Sequence, residues 1–398
     1  MRFMTAHAGG TDVRRVLQDL LEQFAAESAR PDTVSRPNVG LIYFTSALVP
    51  HARTLLDGLR AGTGVAHWAG CSAPWVGAGR DGGLNMSGAA AMLMRLHARD
   101  VRMFSGLQPL RAAGAGWRGA ATVLAHADGG EPECDALLDE LGARTAGRDL
   151  RGALLAPGAV QVADGVFRGG VSGIALSARV AVSGGVAAGR AALGPARVVT
   201  RCEGALVHAL DGRPAREALF EDLGMESRDL QRLLPLLRGC HAMVGSTADD
   251  GGLGLGPTAA WRRVAGLQRA GGGIAFDAPA REGASVRFYR RDVETLRRDL
   301  VRLCTAVRDE LEQRREARMV ATHGGAAGGV LPPPFPAVAR GAVLVLDAAC
   351  AGLDPWALVR RHLGDVPVVG WVAPRQVFGA GTHDGGAVLT VFGEDPID

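Results

Sequence analysis

The sequence predicts an α/β protein of two related α/β lobes with mixed sheets, and three observations carry that reading. Short apolar runs with strand composition alternate with segments of helical spacing along the whole chain. A β-α-β-loop-β order occurs near each end. A long amphipathic helix precedes the second copy. The 398 residues leave room for two or three domains. Composition changes around Gly194 and Pro195, so the chain is divided into residues 1–190 and 191–398.

The first element is a helix in which Val13, Val16, Leu17, Leu20, Leu21 and Phe24 share one face, with Thr11 placed to cap it. Val39 to Phe44 is an unbroken apolar run, the pattern of a strand buried on both faces. A helix through Leu55, Leu56 and Leu59 and a strand from Val65 to Ala69 follow. Further strands are expected at 89–96, 101–104 and 120–125, a helix near 135–141, and strand-like pieces up to about Val186. Arg197 to Arg201 and Ala205 to Leu210 form a strand pair turning at Glu203-Gly204, and a helix starts at Pro214. Residues 246–258 are a glycine-rich loop. The longest helix spans 292–318, with Val293, Leu296, Leu300, Leu303, Val307 and Leu311 as its apolar stripe. Acids alternate with arginines on its other face, which reads as a solvated surface of i,i+4 pairs and not as a DNA-binding helix. Residues 323–336 are a linker, and the last segment returns to α/β: strands at 342–346, 366–372 and 387–392, and a helix at 356–362.

The internal repeat relates residues 39–94 to residues 342–392. Gly77-Ala78-Gly79 corresponds to Gly379-Ala380-Gly381, and Gly82-Gly83 to Gly385-Gly386. Clefts between such modules are common sites for small ligands.

Composition narrows the chemistry. All 44 basic residues are arginine, which removes P-loop, Schiff-base and general-base lysines. A formal charge of +3 gives no reason to expect a nucleic acid or a membrane as partner. The N-terminal residues lack the apolar core of a signal peptide, and no apolar run reaches the roughly 18 residues of a membrane span. Cys71, Cys134, Cys202, Cys240, Cys304 and Cys350 are scattered with no paired short spacing, so a reducing cytoplasm is expected, without a metal or cofactor. GAGRDG at 77–82 fits G-x-G-x-x-G only by letter, since no helix follows it, and it reads as a turn. Gly70-Cys71-Ser72-Ala73-Pro74 is not a nucleophile elbow. Cys71 and Ser72 nevertheless end an expected strand, and Cys350 ends one in the other lobe; each thiol either packs or lines a site.

The stretch ALGPARVVTRCEGALVHALDGRPAREAL (192–219) resembles the junction of the FIST sensory domains, with Leu210-Asp211-Gly212-Arg213-Pro214-Ala215 as its most specific part. YFTS (43–46), AGCSA (69–73), DGVFRGGVSGIALS (164–177), VRFYRRDVETLRRDL (286–300), ACAGLD (349–354) and GWVAPRQVFGAG (370–381) are similar to other family segments, in order. The resemblance implies N- and C-terminal FIST parts and a small-ligand sensor, with amino acids as the ligand class. The chain also departs from the family. The usual glutamate falls on Gln376, the C-x-G-R arginine falls on Leu353, and His383 is a loose counterpart of the terminal histidine.

The function expected is a small-ligand-binding sensory protein, for amino acids or another carboxylate-bearing metabolite, acting through a separate signalling partner. A degenerate interaction protein and a cysteine-dependent enzyme are the alternatives. The expected ligand-binding residues are Cys71, Ser72, Arg201, Arg213, Cys350, Gln376 and His383. Arg201 and Arg213 flank the junction and offer planar forks for a carboxylate, although Arg213 can equally pair with Asp211 or a helix end.

Overall fold

The structure is a computed structural model that describes residues 3–29, 36–79, 86–111, 113–114, 116–225, 240–246, 260–268, 271–323, 338–348, 350, 353–379 and 381–393. The chain forms two compact units, Met1–Ala188 with Arg297–Asp398, and Gly189–Leu296. The chain leaves the first unit at Gly189 and returns to it at Arg297.

The first stretch of unit 1 contains β1 (Phe3–Gly9), α1 (Val13–Ser28), β2 (Val39–Thr45), α2 (Ala52–Thr63), β3 (His67–Ala73), β4 (Val76–Ala78) and β5 (Gly88–Met94). Asp12, not Thr11, caps α1: its carboxylate accepts from Arg14 N at 2.9 Å, and Val16, Leu20 and Phe24 are buried. Helix α2 stops at Gly64, whose φ of +71° suits the left-handed C-cap. The second stretch runs β6 (Val101–Phe104), β7 (Ala120–Asp128), α3 (Cys134–Ala143), β8 (Thr145–Leu155), β9 (Val160–Ala163), β10 (Val166–Arg168) and β11 (Val171–Leu176), followed by β12 (Val182–Ala187).

Unit 2 then contributes β13 (Arg190–Ala192), β14 (Arg197–Glu203), β15 (Leu206–Leu210), β16 (Arg213–Pro214), α4 (Ala215–Asp222), β17 (Cys240–Ser246), β18 (Ala260–Leu267), β19 (Ile274–Phe276) and β20 (Ala284–Arg291). Strands β20-β14-β15-β19-β18-β17 pair in sequence, all antiparallel, and β17 returns to β20, so the sheet closes on itself. The β17–β20 pairing covers the edges that β17 and β20 would otherwise present. Val199, Val207, Leu219, Val264, Ile274, Val286 and Phe288 share its core. The glycine-rich loop beyond residue 246, including Asp249 and Asp250, lies outside the described residues, as do residues 324–336 of the expected linker, whose first residue, His323, ends a helix.

Helix α5 (Val293–His323) leads to β21 (Ala339–Leu346), α6 (Pro355–Leu363), β22 (Val368–Val372), β23 (Arg375–Phe378), β24 (Gly381–His383) and β25 (Ala387–Gly393). Leu296, Leu300, Cys304, Val307 and Leu311 are the buried stripe of α5, while Val293, expected within it, is 46% exposed at the helix start. Asp354 caps α6 by accepting from Ala357 N at 3.0 Å.

Unit 1 holds three mixed sheets of one plan, ordered β1-β5-β2-β3-β9-β10, β6-β11-β7-β8-β23-β24 and β12-β25-β21-β22-β4. In each, the two strands joined by a helix are parallel (β2–β3, β7–β8, β21–β22), and the first of them also pairs antiparallel with a later strand (β5, β11, β25). Residues 39–94 and 342–392 therefore have the same strand order and senses, and 120–176 has them too. These segments are not separate lobes, because each lends its short strands to a neighbour's sheet. β4 joins β22, β9 joins β3 and β23 joins β8, in a closed cycle. Each exchange covers an edge that β3, β8 or β22 would otherwise leave open.

One face of each sheet contributes to a shared core containing Leu41, Tyr43, Cys71, Leu124, Ala153, Val345, Trp371 and Val388. The other faces are covered by helices. Helices α1 and α2 lie on the first sheet, α3 on the second, and a Cβ at Gly185 or Gly393 would meet Leu303 or Leu311 of α5.

Candidate functional site

The cross-strand register fixes which side chains meet in the shared core. Gly70, Gly152 and Gly370 lie opposite Ile42, Ala125 and Leu344. A Cβ on any of the three would strike the carbonyl oxygen of that partner, and Gly70 and Gly152 have φ of +155° and +132°. These glycines let the paired strands close up at the same point in each sheet. One residue further on, directly paired neighbours project to one face and form three rows. The rows are Ala90–Tyr43–Cys71–Gln161, Ser172–His126–Ala153–Gln376 and Val388–Val345–Trp371–Val76.

Every residue in the rows is buried. One ring from each sheet meets at the centre. Tyr43 stacks on Trp371 with centroids 3.9 Å apart, and His126 lies 5.7 Å from Tyr43 and 5.6 Å from Trp371. The Tyr43 hydroxyl, both His126 nitrogens, the Trp371 Nε1 and the Gln376 Oε1 are buried with no hydrogen-bond partner within the protein. Gln376 uses only its Nε2, which donates to the Ala373 carbonyl at 3.2 Å. Buried polar atoms are normally satisfied, so five unpartnered ones within the rows stand out.

Burial sets the protonation states. It pushes His126 down to about 3, so the imidazole is neutral. Burial, reinforced by nearby Cys71, pushes the Tyr43 phenol well up, and burial likewise pushes up the Cys71 thiol.

The sequence-derived candidates fall in different places. Cys71 and Gln376 belong to the central rows. Cys71 lies inside β3, not at its end, because the strand continues through Gly70 to Ala73. Ser72 points to the other face, where its Oγ accepts from Val160 N at 2.9 Å. Cys350 sits in the turn after β21, and its buried Sγ donates to the Gly386 carbonyl at 3.2 Å. His383 is half-buried on β24, its Nε2 3.4 Å from the Phe378 carbonyl. In unit 2, Arg201 and Arg213 are both exposed, and Arg213 pairs with Glu221 at 2.9 Å. That is a helix partner of the kind the sequence left open. Nothing in the sequence groups Tyr43, His126 and Trp371, since an isolated ring in an apolar strand carries no mark of its partners.

A surface cleft of about 560 Å³ is lined by Asn38, His67, Arg102, Gln108 and Asp164. Its charged groups are already engaged. Asp164 holds His67 Nδ1 at 2.8 Å and Trp68 N at 2.9 Å, and Arg102 donates to the Ala98 and Val101 carbonyls.

Residues 38–213 match the FIST N domain. The chain thus carries a FIST N domain. The FIST N segment contains Tyr43, Cys71, His126, Gln161 and Ser172, whereas Trp371 and Gln376 lie beyond it. A C-terminal FIST domain is not matched. FIST domains are sensory modules of signal-transduction proteins, which gives this chain a general sensory role. No curated protein matches the chain. No described helix is long and apolar enough to cross a membrane.

Proposed function

We propose that this FIST-domain protein senses a small polar metabolite held where the three sheets of unit 1 meet, and signals through a separate protein partner. The observation that carries the reading is the group of five partnerless polar atoms on Tyr43, His126, Trp371 and Gln376. A ligand that satisfies them binds only the folded chain and stabilises it by mass action. It would also tie the three sheets together, which gives binding a route to a change of shape. The exposed position of Arg201 and the Arg213–Glu221 pair favour this location over the junction arginines. Burial of Cys71 and Cys350 supports binding over thiolate catalysis, and reduced thiols fit a cytoplasmic setting.

A thermal-shift screen with amino acids, short carboxylates, amides and nucleobases tests the proposal. A hit should stabilise the native protein, lose its effect in Gln376→Leu, and keep it in Arg201→Ala and Arg213→Ala. A hit that depends on the arginines and ignores Gln376 would move the site to the junction and end this reading.

A further inference from the structure

We infer that the ligand at the centre of unit 1 is an uncharged molecule with an amide-type edge, a donor beside an acceptor, as in a primary amide, lactam or ureide. The inference rests on the proposed site and specifies its chemistry. Two module-equivalent glutamines make the argument. Gln161 pairs with Cys71 on β3, as Gln376 pairs with Ala153 on β8. Gln161 is satisfied at both ends: its Oε1 accepts from Ser172 Oγ at 2.6 Å, and its Nε2 donates to the Gly169 and Gly170 carbonyls at 3.2 Å. At Gln376 the position equivalent to Ser172 is Val388, which has no donor, and Oε1 is left open.

The open atoms form a balanced set. Trp371 supplies a donor, Gln376 an acceptor, neutral His126 one of each, and the Tyr43 hydroxyl both. A carboxylate brings acceptors alone and an ammonium group donors alone, so either leaves part of the set unmet. Either would also bury a charge with no counter-charge offered. On β8, the strand between the β7 of His126 and the β23 of Gln376, Arg151 is already committed. Its Nε and Nη2 donate to Asp149 at 2.9 and 3.0 Å, and its Nη1 donates to the Ser183 carbonyl at 2.8 Å. An uncharged amide presents both kinds of group and adds no charge.

Acetamide, acetate and ethylammonium, similar in size and different in charge, are titrated into the full chain while thermal melting is followed. The same melts are run on Val388→Ser, which supplies Gln376 with the hydroxyl that Gln161 already has, and on Gln376→Met. Acetamide should raise the melting temperature of the wild type with increasing concentration, while the two ions do not. Val388→Ser should weaken the acetamide effect by about tenfold, as expected for one neutral hydrogen bond already made, and Gln376→Met should abolish it. A Gln376-dependent shift with acetate or ethylammonium, and none with acetamide, would leave the site standing and overturn the ligand class. If no probe shifts the wild type while Val388→Ser alone raises its melting temperature, Gln376 is a structural defect and both readings fall.

Discussion

His126 illustrates how one residue ties stability to pH. The folded chain holds it near 3, against 6.5 for a free imidazole. Between those values the unfolded chain binds the extra proton, so stability is complete above about 6.5 and falls as the pH drops toward 3. The slope from this one group is about 1.4 kcal/mol per pH unit within the window. Urea melts from neutral to acid pH should therefore show a flatter acid limb in His126→Phe than in the wild type; parallel limbs would mean that His126 is not buried neutral. The thiols offer a second check at this scale. Iodoacetamide should label the half-exposed Cys202 first, and buried Cys71 and Cys350 only on unfolding. Rapid native labelling of Cys71 would restore the enzyme alternative.

The close approach of paired strands depends on glycine, and two positions separate its two reasons. A Cβ at Gly152 would meet the Ala125 carbonyl and also hold alanine at a φ of +132°. Gly147, in the same strand, has a φ of +71° with open space around its missing side chain. Gly147→Ala should cost about 1–2 kcal/mol, the strain of a left-handed alanine alone. Gly152→Ala should cost clearly more, about 4 kcal/mol, because strain and a backbone collision act together. Urea denaturation measures both, and equal losses would deny that the β7–β8 contact is the tight one.

For the molecule as a whole, unit 2 enters and leaves through neighbouring strands. Arg190 of β13 pairs with Arg291 of β20, and Asp292 N donates to the Gly189 carbonyl at 2.9 Å. Chain ends this close are what an inserted domain requires. The insertion lies between β12 and the part of α5 that covers the third sheet, the place where the first sheet has only the β1–α1 turn. Replacing residues 190–291 with a short Gly-Ser linker should leave a unit 1 that unfolds cooperatively in urea. A broad transition with exposed apolar surface would show that unit 1 needs the insert to fold.

Local order determined much of this protein by itself. The all-apolar 39–44 run became a strand buried on both faces, the stripe at 296, 300, 307 and 311 became a buried helix face, and the 203–204 turn joined two antiparallel strands. Periodicity and turn chemistry act between near neighbours, so these features are legible along the chain. The LDGRPA junction likewise identified the family from contiguous residues. The sequence also marked Cys71 and Gln376. Only the tertiary structure decided what they meet. Tyr43, His126 and Trp371 come from three strands up to 328 positions apart in the chain, and they touch because exchanged short strands set the register of three sheets. Whether a buried polar atom finds a partner depends on that register, and register is a property of pairing between distant segments, which no single stretch of sequence contains.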